Sequence, residues 1–180
     1  MTDLGYMSRD QATGHKGSSM TRRHVFISHH HADDARVDQL TQLLEKGRND
    51  VRNSSVRMKP ANQRRMDEGR VKDETIKRLL RMKISWASTV VVLIGRETHS
   101  RPWVNWEIEQ AKKQGKRIVG VYAYGGTDAE KPEALERYGS TIVAWNTDSI
   151  VDAVEGKNNR FENSDGTARE AVHPSTTRVC

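Results

Sequence analysis

The most constraining feature of this chain is a run of branched apolar residues with almost no polar interruption, TVVVLIG at 89–95. An amphipathic helix or a half-exposed strand would place polar residues at regular intervals within such a run. Valine and isoleucine, which branch at Cβ, favour a strand, and apolar residues on both of its faces are typical of the centre of a parallel sheet. The run therefore predicts a sheet that helices cover on both sides.

Other segments supply strands and helices around this centre. Short apolar runs predict strands at 24–29, 117–124 and 141–145, and a weaker candidate lies at 54–58. Apolar residues recur at helical spacing between the strands. The predicted helical segments are 32–47, 73–87, about 102–114, 131–137 and 147–154. Strand and helix alternating about five times predict an α/β fold with a doubly wound, five-stranded parallel sheet.

Both ends of the chain lack this periodicity. Residues 1–22 contain almost no aliphatic side chains, and residues 156–180 are mostly polar. Such segments cannot bury enough apolar surface to offset the entropy lost on ordering. We expect a disordered N-terminal extension at 1–22, one domain at 23–155 and a flexible C-terminal tail at 156–180.

Composition excludes several classes of protein. The single cysteine, Cys180, excludes an internal disulfide framework. The apolar run at 90–95 is too short to cross a bilayer, and the N-terminus has no apolar leader segment. These features predict a cytoplasmic protein that does not contact a membrane.

The positive charge is concentrated in one segment. The net charge is +6, and residues 45–83 hold 13 Lys and Arg against 6 Asp and Glu, a local excess of 13 − 6 = 7. A basic face attracts phosphates, whether of a dinucleotide or of a nucleic acid, although a solvated helix and loop would have the same composition. No aromatic residue interleaves with these basic residues before Trp86, which disfavours binding to single-stranded nucleic acid.

The predicted topology brings separate segments to one edge. Ligands of doubly wound sheets bind beyond the carboxyl ends of the strands. That edge would collect residues 28–31, 96–102 and 124–126. The helix after the central strand places Trp103 and Glu107 four residues apart, on one side and over this edge. Glu107 is therefore the candidate carboxylate.

Two interpretations of Glu107 remain open from its position alone. The amides and dipole of a helix N-terminus predict an ionised carboxylate, which could stabilise an oxocarbenium-like sugar or bind sugar hydroxyls. Glutamate is also common in first helical turns for the same electrostatic reason. Trp103 could stack on a flat ring or pack over the sheet edge, whereas Trp106 is predicted to pack on a neighbouring helix.

The segment SHHHADD at 28–34 contains three successive histidines. Neighbouring side chains of an extended segment point to alternate sides, and no helical His-x-x-x-His or acidic third ligand accompanies them, so no metal site is predicted. Hydrogen bonds from these histidines to a ribose or phosphate are favoured, and Asp33 is predicted to cap a helix. The glycine-rich signatures of dehydrogenases and P-loop NTPases are absent, as is Gly-x-Ser-x-Gly.

Two stretches carry a family resemblance. HVFISHHHAD at 24–33 resembles the first conserved box of TIR and TIR-like domains. STVVVLIGRETHSRPWVNWEIEQAKKQGKRIVGVY at 88–122 resembles their central strand, loop, Trp-Val-x-x-Glu-Ile helix start and following strand. The resemblance spans about 23–154 and is greatest to TIR-like proteins of bacterial anti-phage defence, as in Thoeris systems.

This resemblance implies a flavodoxin-like fold and an enzyme that cleaves NAD⁺ at the nicotinamide–ribose bond, with NAD⁺ as substrate and no further cofactor. The family's catalytic glutamate falls on Glu107, and its preceding tryptophan falls on Trp103. Ser28, His29 and His30 fall where the family contacts nicotinamide and its ribose.

The resemblance also implies partners. The loop at 59–70 matches a segment through which TIR domains self-associate and complete a neighbour's active site, so Lys59 is a candidate substrate contact. Water as acceptor would give ADP-ribose, and a group of the substrate itself would give a cyclic isomer that a downstream effector could sense. A non-catalytic TIR-like scaffold and a nucleoside deoxyribosyltransferase-like glycosidase are the alternatives.

Overall fold

The computed structural model describes residues 23–29, 33–47, 49–52, 73–96 and 98–169. Its strands, in chain order, are β1 His24–Ser28, β2 Asp50–Arg52, β3 Thr89–Ile94, β4 Arg117–Tyr122, β5 Thr141–Val143, β6 Phe161–Glu162 and β7 Ala168–Arg169. Its helices are α1 Asp34–Lys46, α2 Asp73–Trp86, α3 Pro102–Lys113, α4 Glu133–Tyr138 and α5 Thr147–Glu155. No helix in these ranges is both long and apolar enough to cross a membrane.

The strands form one sheet in the order β2-β1-β3-β4-β5-β6-β7. All neighbouring pairs are parallel except the last, in which β7 runs antiparallel to β6. The doubly wound α/β fold is therefore confirmed. The prediction of five strands was incomplete, because β6 and β7 extend the sheet beyond β5. The second strand is Asp50–Arg52; the candidate at 54–58 lies outside the described residues.

Side chains that alternate along each strand divide the core into two layers. All six residues of β3 are buried, with Val90, Val92 and Ile94 facing one layer and Val91 and Leu93 the other. Helices α2, α3 and α4 cover the first layer, and α1 and α5 cover the second. This two-sided cover is the reason that the central run carries no charged residue.

Residues 156–169 do not form the flexible tail that their polarity predicted. The guanidinium of Arg117 donates to the Asn158 carbonyl at 2.6 Å, and the Thr141 hydroxyl donates to the Arg160 carbonyl. Phe161 packs on the first core layer. Strands of two residues are too short to show periodicity, so polar composition concealed them; residues 170–180 lie outside the described residues.

An ion pair ties this extension to α4. The Arg169 guanidinium donates to both carboxylate oxygens of Glu136 at 3.1 and 3.2 Å, and the Lys131 ammonium lies 3.1 Å from the same carboxylate. Burial raises the pKa of Glu136, but the hydrogen bonds from Lys131 and Arg169 outweigh it and hold the pKa below its usual range. The Arg169 side chain is 16% exposed, so solvent screens this pair less than a surface pair.

We therefore expect Arg169→Met to lower the free energy of unfolding by about 1–2 kcal/mol, measured by urea denaturation at pH 7. Arg137→Met is the matched control, because Arg137 pairs with Glu133 on the exposed surface of the same helix. That change is expected to cost at most about 0.5 kcal/mol. Equal costs for the two variants would contradict the structural role of Arg169.

Candidate active site

The carboxyl ends of β1 and β3 form the switch point of the sheet. The chain continues from β1 to β2 on one side and from β3 to β4 on the other. A crevice at such a point is the usual ligand site of a doubly wound sheet. Ser28 ends β1, where it pairs in register with Val92 of β3, and Gly95 directly follows β3.

A hydrogen bond joins this edge to α3. The Ser28 hydroxyl donates to Oε2 of Glu107, although the two residues lie 79 positions apart in the sequence. Ser28 is 1% exposed, and Glu107 is partly buried in the second turn of its helix. Pro102 begins α3, and Val104 and Ile108 anchor that helix in the core. Glu107 is thereby held over the end of β1.

The protonation equilibrium of Glu107 differs from the sequence-based expectation. Burial raises its pKa from 4.5 to about 7, while the Ser28 hydrogen bond and the positive charge of Lys83 lower it by less. The sequence predicted that the helix N-terminus would favour the ionised form, but the lost hydration outweighs the groups that favour it. The carboxyl group is close to half ionised at neutral pH.

The two tryptophans of α3 have different environments. Trp106 is partly buried against the core, and the Arg81 guanidinium of α2 lies 5.5 Å from its ring centroid. Its predicted packing on a neighbouring helix is confirmed. Trp103 is 36% exposed and meets Trp106 edge to face, with the ring centroids 5.8 Å apart. A partly exposed aromatic side chain therefore lies one helical turn before Glu107.

Of the other three predicted substrate-binding residues, the structure describes one. His29 follows β1 at the same edge and is partly buried. His30 and Lys59 lie outside the described residues, so their predicted contacts with substrate stay predictions. Within the described ranges, no three His, Cys, Asp or Glu side chains are grouped to hold a metal ion.

Asp33 lies at the predicted start of α1, but its side chain makes contacts that the sequence did not predict. It stands at the N-cap position of α1, yet its side chain makes no capping hydrogen bond, so the predicted capping role was wrong. The carboxylate is 2% exposed and accepts from the Arg36 guanidinium at 2.9 Å. It also lies against the backbone of Gly95, the residue that follows β3. The glycine closing the central run was the available signal, since glycine at a strand end often marks a close approach.

Gly95 is required by this contact. A Cβ atom at position 95 would lie 2.4 Å from Oδ2 of Asp33 and 2.5 Å from Oδ1. We expect Gly95→Ala to lower the free energy of unfolding by about 1–3 kcal/mol in urea denaturation. Asp33→Ala removes the obstructing carboxylate, so the double variant should lose less than the sum of the two single losses. Strict additivity would mean that the two residues do not compete for this space.

A comparison with family models shows the family to which this chain belongs. The model described as "Thoeris protein ThsB, TIR-like domain" matches residues 26–128, more than half of the 180-residue chain. The chain belongs to this ThsB TIR-like family. The match includes the last three residues of β1 and all of β3, α3 and β4, and so the segments that carry Ser28 and Glu107.

Similar individual proteins were also found. One is "Putative cyclic ADP-D-ribose synthase ThsB1" of Bacillus cereus (strain MSX-D12), 29% identical over 79 residues. The match covers 41% of this chain and 41% of the relative, so the chain spans about two fifths of that relative's length.

Solved structures are similar at 14% sequence identity. A conserved protein from Enterococcus faecalis V583 has a TM-score of 0.50, over 77% of this chain and 100% of that chain, which shows a shared fold alone. The Clostridium botulinum CMP N-glycosidase BcmB has a TM-score of 0.49, over 76% of this chain and 100% of that chain.

Proposed function

We propose that this chain cleaves the bond between nicotinamide and ribose in NAD⁺, with Glu107 as the carboxylate that stabilises the sugar cation. The observation that carries the proposal is the hydrogen-bonded pair of Ser28 and Glu107 at the switch point of the sheet. Membership of the ThsB TIR-like family and the printed name of the Bacillus cereus relative support the same substrate.

The chemistry suits a single carboxylate. The nicotinamide ring of NAD⁺ is positively charged and departs as a neutral base, so the departing group needs no general acid. The site must orient the ribose and stabilise the positive charge that develops on its anomeric carbon. Ser28 occupies Oε2 of Glu107, and we assign the other oxygen, Oε1, to the sugar. The exposed ring of Trp103 would stack on a planar ring of the substrate.

The acceptor of the ribosyl cation determines the product. Water gives ADP-ribose, and attack by the adenine or a ribose hydroxyl of the same molecule gives a cyclic isomer. We propose the cyclic product, sensed by a downstream effector during defence against phage, and self-association of the chain through its TIR-like surfaces. His29, His30 and Lys59 are the further proposed substrate contacts.

The decisive experiment is incubation of the purified chain with NAD⁺, alone and with lysate from phage-infected cells, followed by mass spectrometry of the products. Nicotinamide with ADP-ribose or a cyclic isomer supports the proposal. Transfer of deoxyribose between free bases would instead identify a nucleoside deoxyribosyltransferase-like glycosidase. No turnover under either condition would favour a non-catalytic scaffold.

Replacement of Ser28 should change the pH dependence of nicotinamide release. Because its hydroxyl lowers the pKa of Glu107, Ser28→Ala should raise that pKa further. The rate of nicotinamide release at pH 7 should fall by about threefold to tenfold, while the rate at pH 9 should change by less than about twofold. Ser88→Ala, at an exposed serine of the opposite sheet edge, is the control. An equal loss at both pH values would mean that Ser28 acts on the substrate directly.

A further inference from the structure

Asp33 is a buried carboxylate that the proposed reaction does not use. Its Oδ1 accepts from Arg36 at 2.9 Å, whereas its Oδ2 has no hydrogen-bond donor among the described residues. The side chain is 2% exposed. Removal of a carboxylate oxygen from water without a hydrogen-bond donor costs free energy, so the burial of this oxygen requires an explanation.

Its place in the fold suggests that reason. Gly95 continues the alternation of Val91 and Leu93, which face the layer covered by α1, and Asp33 lies against it from that side. Ser28 continues the alternation of Phe26, which faces the layer covered by α3, where Glu107 lies. Carboxyl groups from opposite layers therefore approach the carboxyl ends of the same two strands.

The chemistry of Oδ2 limits which chemical group of a ligand could bind to it. An ionised carboxylate only accepts hydrogen bonds, so its missing partner is an N–H or O–H donor. The fold does not use this oxygen to cap α1, because no side-chain cap bond is formed. The Arg36 guanidinium already occupies Oδ1 and is 36% exposed beside it, so a second cation is disfavoured relative to a neutral hydroxyl.

We propose that Asp33 is a substrate-binding residue whose Oδ2 accepts a hydrogen bond from a ribose hydroxyl of the dinucleotide. This inference rests on the proposed function, because it takes the ligand to be a ribosyl nucleotide. Glu107 would stabilise the reacting sugar from the α3 side of the switch point, and Asp33 would hold a hydroxyl from the α1 side.

Asp33→Asn is the test variant, because asparagine keeps an acceptor for Arg36 and nearly the same volume. Asp38→Asn, at an exposed position of the same helix, is the control. We expect Asp33→Asn to weaken ADP-ribose binding about tenfold by calorimetry in a Glu107→Gln background, and to raise KM for NAD⁺ similarly in the wild-type background. Its thermal midpoint should stay unchanged or rise, since the buried charge is removed.

A substrate series separates binding from structure. For the deoxyribose analogue of NAD⁺ that lacks the contacted hydroxyl, Asp33→Asn and wild type should differ by less than about twofold in kcat/KM. Equal losses for every analogue, or a lowered thermal midpoint with unchanged binding, would overturn the assignment. Asp33→Ser, with a smaller uncharged acceptor, repeats the test if the asparagine variant does not fold.

The outcomes also separate this inference from the proposed function. Equal turnover by wild type and Asp33→Asn overturns the role of Asp33 alone. ADP-ribose binding that depends on Asp33, in a chain that releases no nicotinamide, overturns the proposed reaction and supports the binding role. Absence of both turnover and ADP-ribose binding overturns both.

Discussion

Glu107→Gln is expected to reduce the rate of nicotinamide release from NAD⁺ by about 10²–10³-fold. Glutamine keeps the shape of the side chain and an acceptor for the Ser28 hydroxyl, but it carries no negative charge to stabilise the ribosyl cation. The rate should be measured as nicotinamide formed per enzyme under single-turnover and steady-state conditions. Release at more than about a tenth of the wild-type rate would remove Glu107 from the reaction.

Glu109→Gln is the matched control, because Glu109 lies exposed on the same helix. It should retain the wild-type rate within about twofold.

The free energy of unfolding of Glu107→Gln must also be compared with that of wild type, because loss of this carboxyl group should favour the folded state at high pH. The raised pKa of Glu107 means that the folded chain holds a proton that the unfolded chain releases between pH 4.5 and about 7.

The stability linked to this proton is fully present below pH 4.5 and is lost as the pH rises through about 7. Glu107→Gln has no such proton to lose. The free energy of unfolding of the variant, minus that of wild type, should therefore be larger at pH 8 than at pH 4.5. The gain is at most about 3 kcal/mol. An inactive variant that is also less stable at pH 8 would indicate a damaged fold rather than a missing charge.

The second large effect is the pH dependence of the reaction. The ionised form of Glu107 is the active one, and its pKa is about 7, so kcat/KM should fall about tenfold per pH unit below pH 7. About a 100-fold loss is therefore expected at pH 5 relative to pH 8. Initial rates of nicotinamide release between pH 5 and 9, with circular dichroism at each pH, provide the measurement.

This profile distinguishes two roles for the same carboxyl group. A rate that rises as the pH falls would assign the protonated form as a general acid and contradict electrostatic stabilisation. A rate that stays constant down to pH 5 would contradict the assignment of ionised Glu107, with a pKa of about 7, as the active form. Ser28→Ala should move the same acidic limb to higher pH.

Much of the fold was predictable because it depends on local patterns. The unbroken run at 89–95 required a strand buried on both faces, and the structure places β3 at Thr89–Ile94 with every residue buried. The apolar spacing of Val104, Ile108 and Ala111 fixed which side of α3 enters the core. Once these elements and their order are known, right-handed crossovers bring the start of α3 to the carboxyl edge.

Hydrophobic periodicity and chain order were thus sufficient to predict the strand–helix order, the doubly wound sheet and the position of Glu107 at its carboxyl edge. Three further features are visible only in the folded chain: Ser28 donates to Glu107, Asp33 contacts Gly95, and residues 156–169 extend the sheet. The raised pKa of Glu107 is likewise visible only in the folded chain. Each of these depends on which distant groups cover or approach a side chain, and burial by distant residues leaves no periodic trace along the chain.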